Sequence, residues 1–189
     1  KKSLKRNFGV DSVCIYNPLN KSEILRLCQN KINFPFFTGK YIKFINVARF
    51  ADQKDHLTLL KAFLMLKNKL NYKLLLIGDG NKKIEIEEFI KKNKMNNILI
   101  KSSVKNPFPY IKRSDVFVLA SRYEGLPNVL LESIVLKKFI ISSNCPTGPS
   151  EILQNGNQIN GYKGGTAVTE DGSKITAKKF FYNKITNIL

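Results

Sequence analysis

Acidic residues are scarce in this chain. Its 189 residues carry 14 Asp and Glu against 32 Lys and Arg, a formal net charge of +18. An excess of that size admits three kinds of partner: nucleic acid, an anionic membrane surface, or phosphate-bearing substrates. Lysine and asparagine are frequent along the whole chain, so compositional bias explains the excess equally well. Long apolar runs are missing too. No stretch approaches the roughly 18 to 20 apolar residues of a membrane span, and the basic first residues show no apolar segment of a secretion signal. The three cysteines, Cys14, Cys28 and Cys145, are far apart and form no CxxC pair or Cys/His cluster. Neither a disulfide framework nor a zinc site is expected, and a reducing, cytoplasmic setting fits. The single histidine, His56, opens a helical pattern and reads as a surface side chain rather than a catalytic one. RRM, KH and zinc-finger signatures are absent. A basic nucleic-acid-binding module therefore rests on charge alone, and no nucleic-acid partner is expected.

What is present is an alternation. Residues 1 to about 40 read as irregular, broken by Pro, Asn and Gly. From Tyr41 onward, short apolar runs rich in β-branched and aromatic residues alternate with helical patterns. The runs are Tyr41–Val47, Lys73–Ile77, Asn97–Ile100, Val116–Leu119 and Phe139–Ser142. The helical patterns are Asp55–Leu70, Ile84–Asn93, Pro109–Arg113, Pro127–Leu136 and one starting at Pro149. Continuous apolar strands joined by short crossovers predict an α/β domain: a Rossmann-like parallel sheet with helices on both faces. Binding then belongs at the carboxyl ends of the strands. The expected organisation is a linker-like segment over 1–40, the Rossmann-like domain over 41–157, and an atypical Gly-rich, polar tail over 158–189. A helix is expected over Ile175–Leu189.

The chemistry-bearing residues fall in loops after strands. Ser121 to Glu132 reads SRYEGLPNVLLE and follows the Val116–Leu119 strand. Pro127 suits the first helical position. Glu124 then lies in the loop, and Glu132 about a turn and a half into an apolar helix. A carboxylate there is costly unless it accepts hydrogen bonds, and sugar and ribose hydroxyls donate them. The helix start near Leu126–Asn128 offers free N–H groups to phosphate. The other reading pairs Glu132 with a lysine or a neighbouring loop. Arg49 and Lys54 flank the loop after the Tyr41–Val47 strand; they form either a diphosphate grip or two solvated charges. Gly78-Asp79-Gly80 is a weak dinucleotide signal, equally explained by a tight turn. The polar loop Ser102–Asn106 is placed to touch a base. Thr147 to Glu151 is explained as a helix start with a capping box.

In combination these segments resemble the large group of retaining GT-B glycosyltransferases often called family 4, or glycosyl transferases group 1. FINVARFADQKDHLTLLKAF is similar to that group's first strand, Arg/Lys loop and helix. LLLIGDG is similar to its next strand and turn. FVLASRYEGLPNVLLES resembles its E-x7-E signature, here Glu124 and Glu132, and NCPTGPSEIL resembles the loop and helix that follow. Asn17-Pro18 is similar to the pair that marks the interdomain linker. The resemblance runs from about Val13 to Gly156, and it implies the C-terminal, donor-binding half of the GT-B fold. Arg49, Lys54 and Glu124 would be catalytic, with Arg49 and Lys54 on the donor's diphosphate and Glu124 on donor-sugar hydroxyls. Gly78, Gly80, Gly125, Leu126, Pro127 and Asn128 would line the donor, and Glu132 would bind the ribose. The donor would be a UDP- or GDP-sugar, with no metal or other cofactor, because the cations take the metal's place. The acceptor would be lipid-linked or a polysaccharide, reached by peripheral association with the inner face of a membrane. The group's N-terminal, acceptor-binding domain has no counterpart in these residues, so the chain is expected to need a partner domain or chain. A non-catalytic nucleotide-binding or partner-binding remnant is the alternative.

Overall fold

The structure, a computed structural model, describes residues 2–11, 13, 18–67, 69–145, 148–154, 162–168 and 174–180. Five strands make one sheet: β1 (Ile42–Val47), β2 (Tyr72–Ile77), β3 (Ile98–Lys101), β4 (Val116–Leu119) and β5 (Phe139–Ser142). All are parallel, in the order β3-β2-β1-β4-β5. The chain winds outward from β1 to β3 on one side, then returns to β4 and β5 on the other. The strand order therefore reverses between β1 and β4, the switch point at whose carboxyl ends sheets of this kind bind ligands.

Side-chain alternation along the strands sorts two cores. Ile45, Leu75, Ile77, Phe117, Leu119 and Ile140 point to one face. There they meet α5 (Phe108–Arg113), α6 (Asn128–Val135) and α7 (Pro149–Gln154) through Ile111, Leu130, Ile152 and Leu153. Phe44, Leu74, Leu76, Val116 and Val118 point to the other face. They meet α3 (His56–Met65) through Leu59, Leu60 and Phe63, and α4 (Lys83–Lys92) through Ile86. Each such side chain contributes about 1.5–3 kcal/mol when fully buried. The central strands therefore cannot surrender either layer, and the α/β sandwich expected from the apolar runs is what forms.

Three expectations are corrected. The first 40 residues are not irregular throughout. They form α1 (Lys2–Phe8), α2 (Lys21–Leu27) and a 3-10 turn at Pro35–Phe37. Asn20 caps α2 by accepting from the Glu23 N–H at 3.0 Å. Ile24, Cys28, Phe36 and Phe37 are buried in the first core, so this segment supplies part of that helical layer. Second, the described part of the stretch expected to be helical, residues 175–180, is not helix. Lys174–Phe180 is a strand, β7, paired antiparallel with β6 (Tyr162–Val168). Alternating small and β-branched residues (Thr166, Ala167, Val168 and Ile175, Thr176, Ala177) explain the change. Residues 181–189, and Cys14 and Asn17, lie outside the described residues. Third, His56 is not a surface side chain: it is 3% exposed. Among the described residues no helix is long and apolar enough to cross a membrane.

Candidate functional site

The loop after β1 (residues 48–55) and the loop after β4 (residues 120–127) flank the reversal point. Four successive residues of the first loop are tied to neighbouring loops. Asp52 takes an ion pair from Lys82 at 3.0 Å. The Gln53 carbonyl accepts the Arg122 N–H at 2.8 Å, and its side chain donates to the Tyr123 carbonyl at 3.0 Å. Lys54 Nζ reaches Glu124 Oε1 at 2.6 Å. Asp55 receives Arg122 through Nε at 3.0 Å and Nη2 at 3.4 Å. Burial alone would raise the Asp55 carboxyl, but hydrogen bonds from Arg122 and Thr58 outweigh it and hold the group below its ordinary range. Asp55 also caps α3 by accepting the Thr58 N–H at 3.3 Å, with left-handed backbone at φ 45°. Aspartate tolerates that conformation better than most side chains.

Glu124 is the hub. Its side chain is 6% exposed, against 18% for Lys54. It accepts from Lys54, from the Ser121 hydroxyl at 2.5 Å and, more weakly, from Gln53 at 3.5 Å. Ser143, just past β5, donates its hydroxyl to the Ser121 carbonyl at 2.6 Å, so a third loop braces the same turn. Gly148 brings in the start of α7. It sits at φ +82°, and an added Cβ would run into the Gly125 carbonyl oxygen. The Glu124 loop is thus supported from the β1 side and from the β5 side.

The other expected site residues divide. Arg49 is exposed, with no side-chain hydrogen bond or ion pair among the described residues. Gly78 and Gly80 serve packing. A Cβ on Gly78 would meet the Ala48 carbonyl, and one on Gly80 the Phe50 carbonyl. Between them Asp79 accepts the Ser103 N–H at 2.7 Å and Lys83 at 3.1 Å, pinning the loop after β3. Gly125 differs: the space where its Cβ would stand is open. Pro127 is buried and precedes α6 rather than opening it, because its ψ of 102° is not helical. No side chain caps α6. Leu126 is half-buried and Asn128 exposed.

Glu132 lies on α6, half-buried, without a hydrogen-bond or ion-pair partner among the described residues. Removal from water raises its carboxyl above the ordinary range, and no charge offsets it. The reading that paired it with a lysine or a nearby loop finds no support among those residues. A shallow hollow with room for about 30 Å³ of water lies between the loop after β1 and the start of α4, lined by Asp52, Asp55, His56, Lys82, Glu85 and Arg122. Three of these lining residues are tied together by the ion pairs of Lys82 with Asp52 and Glu85.

Sequence reasoning missed Gln53, Asp55, Ser121 and Arg122. Asp55, read as the first residue of the Asp55–Leu70 helical pattern, is instead the cap just before the helix, a place that suits an aspartate. The others act through loop-to-loop contacts that carry no local signal.

A parallel, doubly covered sheet with charged loops converging at its switch point defines a Rossmann-like α/β domain. The chain belongs to the family described as glycosyl transferases group 1, whose sequence profile matches residues 29–169. It is 42% identical over 112 residues to an uncharacterised glycosyltransferase of Methanocaldococcus jannaschii, covering 58% of this chain and 28% of that protein. It is 33% identical over 151 residues to the Campylobacter jejuni N-acetylgalactosamine-N,N'-diacetylbacillosaminyl-diphospho-undecaprenol 4-alpha-N-acetylgalactosaminyltransferase, covering 79% of this chain and 40% of that enzyme. Its fold superposes on the pneumococcal O-GlcNAc transferase GtfA, solved with UDP and GlcNAc. The TM-score is 0.57 at 24% identity, over 64% of this chain and 24% of that one. The chain therefore spans well under half the length of these relatives.

Proposed function

We propose that this chain is the donor-binding unit of a retaining glycosyltransferase of GT-B architecture, holding a nucleotide-activated sugar across the loops after β1 and β4. One observation carries the reading. The Lys54–Glu124 pair bridges the topological switch point, and Arg49 and Glu132 stand on the same two segments without partners among the described residues. Arg49 and Lys54 would grip the diphosphate and stabilise the charge that grows on it as the glycosidic C–O bond breaks. Lys54 already has a carboxylate partner, so its charge is held in place before the donor arrives. Glu124 would accept from hydroxyls of the sugar, and Glu132 from the ribose, whose hydroxyls would supply the donors that this carboxylate lacks. The uncapped start of α6, with open space at Gly125, would face phosphate.

The Campylobacter relative acts on a diphospho-undecaprenol substrate, and GtfA was crystallised with UDP. The second favours a nucleotide-sugar donor, and the first a lipid-linked acceptor. Such an acceptor would bring the enzyme to a membrane surface, where a chain of +18 would be drawn to anionic lipid. The acceptor would be held by a facing domain that these residues do not supply. Calorimetry with a panel of UDP- and GDP-sugars tests the donor site. Binding is expected, weakened at least about tenfold by Arg49→Ala and by Glu132→Ala, a loss of about 1.4 kcal/mol or more. Unchanged affinity in both variants would reject the site. Transfer by the 189-residue chain alone should be undetectable. Robust turnover would show that no facing domain is needed.

A further inference from the structure

β1 places Asn46 on the sheet face that is otherwise packed with Phe44, Leu74, Leu76, Val116 and Val118. Asn46 is 1% exposed, in the central strand. A polar side chain there costs stability unless it is hydrogen-bonded at both ends. It is: Nδ2 donates to the Val118 carbonyl at 2.8 Å, and Oδ1 lies 3.0 Å from His56 Nε2. Those contacts settle the imidazole's tautomer. A carbonyl only accepts, so the Asn46 amide must turn its NH2 to Val118 and its oxygen to His56, and His56 Nε2 must carry the proton. The opposite nitrogen, Nδ1, is buried without a hydrogen-bond partner among the described residues. The ring is also packed edge-on against Phe50, with centroids 4.9 Å apart and planes at 82°. Phe50 is fully buried, and its backbone is held by Asp79 and Lys82.

Asn46, Phe50 and His56 therefore enclose the loop that carries Arg49 and Lys54. Arg49 immediately precedes Phe50, and Lys54 stands two residues before His56. The hydrogen-bond chain runs from α3 through β1 to β4, the strand that leads into the Glu124 loop.

We infer that His56 is a positioning residue for donor binding: its Nε2–H to Asn46 fixes the β1–α3 loop so that Arg49 and Lys54 face one diphosphate. The inference rests on the donor-site reading above. It assigns His56 no contact with the donor and no proton transfer. An apolar ring fills the same volume without the N–H, whereas glutamine can place an amide N–H where Nε2 stands.

The experiment titrates UDP into the full chain and into His56→Phe and His56→Gln by calorimetry, with thermal melts alongside. Expected are a loss of affinity of about tenfold or more in the Phe variant and affinity within about threefold of the parent in the Gln variant. A Phe variant that binds like the parent overturns the inference, and so does a Gln variant as weak as the Phe one. If the parent itself does not bind UDP, the donor-site reading fails, and the imidazole assignment is judged separately by nitrogen-15 NMR. If the Phe variant does not fold, the same spectra of the parent decide. An Nε2–H tautomer that stays neutral from pH 8 to pH 5 supports the inference. An Nδ1–H tautomer, or titration near the ordinary histidine range, refutes it.

Discussion

Lys54 Nζ and Glu124 Oε1 meet at 2.6 Å across two loops that are 70 residues apart in sequence and adjacent in the sheet. Glu124 is nearly enclosed, so removing Lys54 takes away the cation that faces its carboxylate, although other contacts, the Ser121 hydroxyl among them, stay. Lys54→Ala should cost roughly 3 kcal/mol, the low end for a buried pair, since Lys54 keeps some contact with water. Adding Glu124→Gln should return part of that loss. Chemical denaturation of the two single variants and the double variant measures the coupling; additive costs would show that the pair is not energetically linked.

Glu132 pits stability against binding. A carboxylate raised by burial and unpaired among the described residues destabilises the free chain in its charged form. Glu132→Gln should therefore raise the melting temperature slightly while weakening nucleotide-sugar affinity. The sign is checkable by pH as well. A folded-state pKa above the unfolded value means the parent gains stability relative to the variant as pH falls toward the carboxylate range.

His56 makes the opposite contribution. Burial depresses its pKa from 6.5 to about 4, with the Asp55 charge opposing and the Lys54 charge adding to the effect. The unfolded chain takes up a proton below about 6.5, and the folded chain does not until about 4. Stability from this group is therefore full above about 6.5 and is lost progressively as pH falls to about 4. Between pH 7 and pH 5 the loss should be about 2 kcal/mol. Urea melts of the parent and of His56→Gln at the two pH values isolate it. The variant should show a shallower dependence; equal slopes would mean that His56 is not buried neutral.

The glycines separate packing from binding. Gly78→Ala drives a methyl group into the Ala48 carbonyl and should lower the melting temperature by several degrees. Gly125→Ala meets open space and should leave stability within about 0.5 kcal/mol. If phosphate lies against the Glu124 loop, the same change should weaken UDP binding. A Gly125→Ala variant with parental stability and parental affinity would move the phosphate elsewhere.

Much of this was legible in the sequence, and the boundary is physical. β4, β5 and α7 fall where the apolar runs and Pro149 put them, because buried parallel strands leave an unbroken apolar record. The Arg/Lys loop and E-x7-E spacing were readable as motifs, but the meeting of Lys54 with Glu124 was not: it depends on β1 and β4 being neighbours. His56 was misread because a polar side chain at a helix start normally faces water. Its burial depends on Asn46, ten residues earlier and inside a strand. The segment before β1 was misread because Pro, Asn and Gly spacing hides a helix as short as Lys21–Leu27, which forms because it buries Ile24 and Cys28 in the first core, against α5 and α6.

Amide chemical-shift mapping of the isotopically labelled chain during a UDP titration tests the central claim most directly. The account predicts saturable shifts concentrated in residues 49–55 and 121–132, with the amino ends of the strands, at Tyr41, Lys73 and Asp115, unmoved. Shifts centred on those amino ends, or no shift in either loop at saturating nucleotide, would contradict it.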